Sequence, residues 1–315
     1  MENTLYIVIP AYNEEEAIES TARVVLEKLE KMILEGKVSE NSKILFVDDG
    51  SKDNTWEIIS KLYEINSFIL GIRLSTNMGH QNALLAGLMK AKENADIIIS
   101  MDCDLQDDVN AMDEMIKKYI SGADIVYGVR SKRSSDSFLK RTTAHLFYKI
   151  MNFFGAKTVY NHADYRLLSK RAVESLSEFD EVNIFLRGLV PMLGYETDVV
   201  FYERKKRNAG KTKYSVSKMV KFAIEGITSC STAPLSIITW LGILTFFIGI
   251  IMTVFSVVGY FQGKTVAGWT SMMCSIWVVG GLLMISMGVV GKYIGKIYLE
   301  TKHRPKYIIR DELIR

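Results

Sequence analysis

Residues 97–108 read IIISMDCDLQDD. An apolar run just long enough for one strand, 97–101, opens into a loop crowded with carboxylates: Asp102, Asp104, Asp107 and Asp108. A short apolar run bounded by polar residues suits a strand buried on both faces. Upstream the same device recurs, with 5–9 ending at Pro10 and 44–47 closed by Asp48, Asp49, Gly50 and Ser51. Further runs at 68–74 and 125–129 complete the set. Between them lie stretches of helical period: 15–34, a helix capped by Asp53 that carries Trp56, Ile59 and Leu62, then 79–91 and 109–119. Such alternation predicts an α/β domain with a mostly parallel sheet covered on both faces. Ligands of these sheets lie beyond the carboxyl ends of the strands, which is where both acidic motifs fall.

Converging carboxylates repel one another unless a cation, a donor or a proton compensates them. Asp102 and Asp104 are two positions apart, so continued strand alternation places both on one side of the chain. With Asp48 and Asp49 they make a hard-oxygen set suited to Mg2+ or Mn2+ bound to a diphosphate. Helix capping is the plainer use of such acids, and Asp107 or Asp108 is placed to cap the helix beginning near Val109. There is no Walker phosphate loop and no dinucleotide glycine fingerprint. His80, in NMGHQNA, is the most interesting of four histidines without ligand spacing, and capping or packing is its plainer reading.

The 315 residues allow one substantial core plus an appendage, and the 48% hydrophobic content is unevenly spread. No charged residue occurs in 226–263 or in 265–291. Residues 235–260 and 269–290 are each long enough, at about 1.5 Å per residue, to cross a hydrocarbon layer roughly 30 Å thick. Lys218 and Lys221 precede the first stretch, and Lys292, Lys296, Lys302, Arg304 and Lys306 follow the second, with Lys264 alone between them. That asymmetry predicts both termini in the cytoplasm. MENTLYIVIPAYNEEE carries no basic leader before a long apolar run, so the front domain is expected to stay there too. Cys103, Cys230 and Cys274 form neither a disulfide framework nor a zinc pattern.

A net charge of +3 is too small to imply nucleic acid. Basic residues collect instead where the chain would meet lipid headgroups. Arg130, Lys132, Arg133, Lys140 and Arg141 adjoin an amphipathic stretch at 138–154. The segment 201–214, FYERKKRNAGKTKY, suits phosphate handling, and Val216, Met219, Val220, Ala223 and Ile224 line an interfacial helix ahead of the first span.

VIPAYNEEE (8–16), VDDGS (47–51), MDCDLQDD (101–108), ADYRL (163–167) and ERKKRNAGKTKY (203–214), in this order, resemble the inverting family 2 glycosyltransferases with a GT-A fold. Within them the chain is similar to the polyprenyl-phosphate glycosyltransferases, such as bacterial bactoprenol glucosyltransferases and dolichol-phosphate mannose synthases, over essentially its whole length. The resemblance implies a GT-A nucleotide-diphospho-sugar transferase fold with interfacial helices and two carboxyl-terminal transmembrane helices. It divides the chain into a catalytic domain (1–213), a juxtamembrane helix (214–233), a transmembrane hairpin (234–291) and a basic tail (292–315). Pro10, Tyr12 and Glu14 are then expected in the nucleotide pocket, Asp49 near the uracil and Asp102 near the donor ribose or sugar. Asp104 is expected to ligate Mg2+ or Mn2+, with Gln106 in the same loop. Arg130 and Arg141 are expected on donor or lipid phosphate, and Arg204, Arg207 and Lys213 as a phosphate clamp. Asp104, Asp164 and Arg207 are the expected catalytic set, Asp164 acting near the acceptor as a base or as a positioning group.

The reaction so implied is inverting transfer of a hexose, glucose first, from a UDP-sugar to undecaprenyl phosphate, yielding a polyprenyl monophosphate sugar for cell-envelope glycosylation. UDP-N-acetylglucosamine and UDP-galactose are alternative donors, because the motifs recognise diphosphate and cation rather than ring substituents. Membrane lipids and further copies of the chain, a tetramer in bacterial relatives, are the implied partners. The implied location is the plasma or inner membrane, with a multi-pass topology. Two other readings compete. One is a processive membrane glycosyltransferase, against which stands the lack of a QxxRW sequence. The other is a non-catalytic scaffold that binds a nucleotide sugar.

Overall fold

A computed structural model describes residues 2–131, 162–182, 184–203, 235, 237–245, 247–248, 251 and 268–315. The first half follows the expected alternation: β1 (Leu5–Ala11), α1 (Ile18–Leu34), β2 (Lys43–Asp48), α2 (Thr55–Ile65), β3 (Ile69–Leu74), α3 (His80–Ala91), β4 (Ile97–Ser100), α4 (Ala111–Ile120) and β5 (Ile125–Arg130). Then come β6 (His162–Ser169), α5 (Lys170–Ser177), α6 (Leu186–Met192), β7 (Thr197–Tyr202), α7 (Trp269–Glu300) and β8 (Ile309–Leu313).

One eight-stranded sheet has the order β7-β5-β6-β4-β1-β2-β3-β8. The central strands β3, β2, β1 and β4 are parallel, whereas β6 runs against both β4 and β5, and β8 runs against β3. Period-two alternation splits each strand between two cores. Leu5, Ile7 and Ile9 of β1 pack with Val25 and Leu29 of α1, Ile59 of α2 and Met112 of α4. Tyr6 and Val8 face the other side, with Leu84 and Leu88 of α3, Val173 of α5 and Leu189 of α6. Lys28 is buried in α1 because Asp113 of α4 pairs with it. A carbon at the Cβ position of Gly87 would stand 2.4 Å from Val8 Cγ1, so α3 lies directly on the sheet.

The mostly parallel expectation holds for the centre of the sheet; the reversal enters with β6, whose register sets Arg166 opposite Ser100 of β4. Asp164 therefore lies just past the carboxyl end of β4, at the same sheet edge as the acidic loop. The region expected as a basic tail contributes a strand of the catalytic sheet, and α7 continues past Val290 through Lys292 and Lys296. Long lysine stems lie along a helix while their ammonium groups reach water, so charge does not end the helix.

Two spans were expected. Among the described residues one helix, Val279–Glu300, is long and apolar enough to cross a membrane. Half of the earlier stretch, 235–260, falls outside the described residues, and those described within it are helical. Trp240, Leu244, Phe247 and Ile251 there, and Met272, Leu283, Met287 and Ile294 of α7, are exposed. Apolar surface on that scale marks contact with lipid or with protein.

Candidate active site

The loops after β1, β2, β3 and β4 gather at one edge, and backbone donors stitch them together. Asn13 N donates to Ser51 Oγ at 2.9 Å, Glu14 N to Thr55 Oγ1 at 3.0 Å, and Lys52 N to Asn13 Oδ1 at 2.9 Å. Pro10 is buried within β1 opposite Val47, and Tyr12 and Glu14 line the partly buried loop that follows. Gly50 has φ +66°, and a Cβ there would stand 2.6 Å from the Thr76 carbonyl carbon. Glycine therefore admits the loop after β3. Met78 N and Gly79 N then donate to the two oxygens of buried Asp49 at 2.7 and 3.0 Å. Burial raises the proton affinity of Asp49 and these amides oppose it. In this geometry Asp49 holds the loop that leads into His80. Its neighbour Asp48 is buried, accepts from Ser51 N at 3.0 Å and pairs with Arg73 Nε at 3.2 Å.

The loop after β4 is the acidic one. Thr21 Oγ1 of α1 donates to the Cys103 carbonyl at 2.7 Å, and Gln106 N donates to Asp104 Oδ1 at 3.2 Å. Asp107 is buried and accepts from Tyr202 Oη and, at 3.5 Å, from an Arg130 guanidinium nitrogen. Asp108 accepts from Asn110 N at 3.4 Å in the turn ahead of α4, but the cap position is Asn110 and no side chain caps the helix, so neither Asp107 nor Asp108 has the capping role expected for it. Asp102 has its pKa raised to about 6: burial comes first, His80 opposes it, and the charges of Asp107, Asp164 and Asp104 add to it. Asp107 Oδ2 is buried without a hydrogen-bond partner among the described residues. Surplus negative charge and an unsatisfied carboxylate oxygen fit a hard divalent cation. Among the described residues no three His, Cys, Asp or Glu side chains could hold a metal ion as a group. An ion of the Mg2+ type needs no such cage, because one or two carboxylates serve when water and substrate phosphates complete its shell.

Across from this loop lies a charge cluster built on β6. Strand alternation puts Asp164 and Arg166 on one face, and both are buried. Arg166 donates to Asp164 Oδ1 at 2.6 Å, and Arg187 of α6 forks onto both Asp164 oxygens through Nε at 3.1 Å and a terminal nitrogen at 2.9 Å. His80 Nε2 stands 3.5 Å from Asp164 Oδ2 and 3.7 Å from Asp102 Oδ1, bridging the two acidic groups. Burial alone would lift the Asp164 pKa, but Arg187, His80 and Arg166 outweigh it and hold the carboxyl well below its usual range. Burial disfavours the imidazolium of His80, and Asp164 and Asp102 prevail, raising its pKa.

The structure thus brings Pro10, Tyr12, Glu14, Asp49, Asp102, Asp104, Gln106, Arg130 and Asp164 to one edge of the sheet. Arg130 meets Asp107 and, through Nε at 3.3 Å, Tyr202 Oη. Arg141, Arg204, Arg207 and Lys213 lie outside the described residues. Sequence reasoning passed over Arg187, Arg166, Asp107 as an interior group, and Tyr202, and it left His80 as a capping or packing residue. One signal was available: Asp and Arg two apart in a strand-length apolar segment imply a paired charge on one strand face.

Residues 6–177 match the family model described as "Glycosyl transferase family 2". An uncharacterized glycosyltransferase, YkoT, of Bacillus subtilis (strain 168) is 48% identical over 98% of this chain and 92% of that protein. The bactoprenol glucosyl transferase of Shigella phage SfV is 40% identical over 97% of this chain and 98% of its own. Among solved structures, glucosyl-3-phosphoglycerate synthase from Mycobacterium tuberculosis in complex with phosphoglyceric acid overlaps with a TM-score of 0.47 at 15% identity, over 72% of this chain and 79% of that one. That overlap is too distant to speak about substrates. The family match covers β1 through α5, and with them the loops and strand that carry Asp49, Asp102, Asp104 and Asp164, so the chain belongs to glycosyl transferase family 2.

Proposed function

We propose that this glycosyltransferase transfers a hexose, glucose in the first instance, from a UDP-sugar to undecaprenyl phosphate with inversion, releasing UDP. The observation that carries the reading is the 40% identity to a bactoprenol glucosyl transferase across 97% of the chain. In this reading Pro10, Tyr12 and Glu14 wall the nucleotide, and Asp49 shapes that wall by fixing the loop at 78–79. Asp102 faces the donor ribose or sugar. A divalent ion, Mg2+ or Mn2+, held by Asp104 with Gln106 beside it, would offset charge on the departing diphosphate.

The acceptor oxygen already belongs to an anion, so placement and neutralisation matter more than proton removal. Asp164 accordingly serves as a positioning residue, because a carboxylate clamped by two guanidinium groups takes up a proton poorly. Arg130 steers phosphate in the cleft, a task that Arg141, Arg204, Arg207 and Lys213 share in this reading.

Topology supports a membrane hairpin. Strand β8 follows a helix able to span a bilayer, yet it pairs with β3 in the same sheet as β1. If α7 crosses the membrane, the chain must cross an even number of times to bring β8 back. Residues 235–260 are the stretch available for the other crossing, and the flanking lysines then put the catalytic domain and both termini in the cytoplasm.

The test presents the detergent-purified protein with undecaprenyl phosphate and UDP-glucose, UDP-N-acetylglucosamine or UDP-galactose separately, followed by mass analysis of the lipid. A hexosyl phosphoundecaprenol is expected, most of it from UDP-glucose. EDTA should abolish its formation and Mg2+ or Mn2+ restore it. No lipid product with any donor overturns the reading.

A further inference from the structure

Asp102 and Asp164 flank His80 Nε2, and the two carboxylates are held very differently. The Asp164 side chain is 7% exposed and gripped by two guanidinium groups, those of Arg166 and Arg187. The Asp102 side chain is 38% exposed, and among the described residues its carboxylate accepts no hydrogen bond. There, His80 at 3.7 Å is the one basic group within ion-pairing distance of Asp102. Asp164 thus has two anchors besides the imidazole, whereas among the described residues the imidazole is the only one Asp102 has. A loop carboxylate surrounded by like charge takes its orientation from the one contact that opposes the repulsion.

His80 is itself firmly seated. Just before it, Asp49 accepts from Met78 N and Gly79 N through both oxygens, Asn82 Nδ2 donates to the Met78 carbonyl at 2.8 Å, and Gly79 turns the chain into α3 at φ +87°. Just after it, Gln81 Oε1 accepts from Leu186 N at 3.0 Å, which ties the same turn to α6. The turn is therefore fixed by the loop after β2 on one side and by α6 on the other, and His80 reaches from it to Asp102. A side chain on so constrained a turn can set a partner's position, because little of the contact remains to be ordered when substrate binds.

We propose that His80 is the positioning residue of Asp102: it carries the placement that Asp49 imposes on the turn across to the carboxylate that meets the donor ribose or sugar. The inference rests on the reading of Asp102 as a donor contact given above. His80 acts through Asp102 and not on either substrate. Without the imidazole, the charges of Asp107, Asp164 and Asp104 act on Asp102 unopposed from that side and turn it from the donor.

A double-mutant cycle on UDP-glucose affinity, measured by calorimetry on the full-length detergent-purified protein with Mg2+ or Mn2+, tests this without requiring turnover. His80→Ala should weaken UDP-glucose about tenfold in the wild-type background and no more than about twofold in Asp102→Asn. His80→Gln keeps an N–H donor and should recover most of the loss. The KM for undecaprenyl phosphate should stay within about twofold in His80→Ala. An equal loss in both backgrounds, no loss in the wild-type background, or a rise in the acceptor KM instead overturns the proposal. His80 is 42% exposed at the first position of α3, where alanine suits the helix. Thermal unfolding checks that each variant is folded, and if His80→Ala is not, His80→Phe, a ring without an N–H, takes its place in the cycle with the same outcomes. Failure of the donor reading shows in Asp102→Asn alone, as wild-type affinity for UDP-glucose; failure of the His80 inference shows only in the cycle.

Discussion

A carboxylate that is to accept a proton near neutral pH needs burial or like charge without a counter-ion. Asp164 has the burial, but Arg187, His80 and Arg166 outweigh it. Its folded pKa lies below the unfolded value, so the stability it contributes is present above about pH 4 and is lost only as pH falls through the depressed value. His80 has the opposite sign: raised above the usual histidine value, it contributes fully below about pH 6.5 and loses that contribution as pH rises through its folded pKa. Asp164→Asn should therefore lower the thermal midpoint more near pH 6 than near pH 9. A midpoint difference that grows with pH would contradict this assignment. Gly50→Ala forces a side chain into the Thr76 backbone at a φ of +66°. It should cost about 1–3 kcal/mol and weaken UDP binding, read by thermal unfolding and calorimetry. The acidic residues were legible in the sequence because carboxylates after apolar runs stand out. Their partners were not, since Arg187 reaches Asp164 from 23 residues away and only the packing of α6 on β6 brings them together.

At the scale of elements, β1 to β5 were readable because each is a continuous apolar run buried on both faces. Strand β6 interrupts its run with Asp164 and Arg166, and β8 reads IRDEL, the pattern of a half-exposed edge. An edge strand has one neighbour and one solvated side, so it carries no apolar signature of its own. What holds β8 is partnership: Ser75 N donates to the Ile308 carbonyl at 2.9 Å, Tyr63 Oη to the Ile314 carbonyl at 3.1 Å, and an Arg315 guanidinium nitrogen to the Tyr63 carbonyl at 2.7 Å. Lys90 of α3 pairs with Glu312 at 3.2 Å. Deleting residues 304–315 should bare the edge of β3 and lower the thermal midpoint by several degrees, on the order of 4 °C or more. An unchanged midpoint in differential scanning fluorimetry would mean that β8 is dispensable to the fold. Tyr63→Phe, which removes one hydrogen bond, should cost about 1 kcal/mol.

For the molecule as a whole, the apolar stretches were the plainest part of the sequence, yet their limits were not. The expected second span stops at Val290, where charge begins, while α7 runs 32 residues to Glu300, about 48 Å at 1.5 Å per residue. Hydropathy marks where the apolar stretch ends, and backbone hydrogen bonding carries the helix beyond it. The even-crossing topology makes a direct prediction. With Cys230 and Cys274 replaced, a cysteine at Lys264 in intact cells should react with a membrane-impermeant maleimide, and one at Arg310 should react only after lysis. The reverse pattern, or equal labelling, would rule the hairpin out.

The pairing of β3 with β8 has a consequence for biosynthesis. Ribosomes deliver the chain from its amino end, so the outer rim of the catalytic layer stays open through translation of more than two hundred residues, from Gly71 to its partner Leu313. In the proposed topology insertion of α7 precedes closure, so the sheet is completed only after the chain has reached the bilayer.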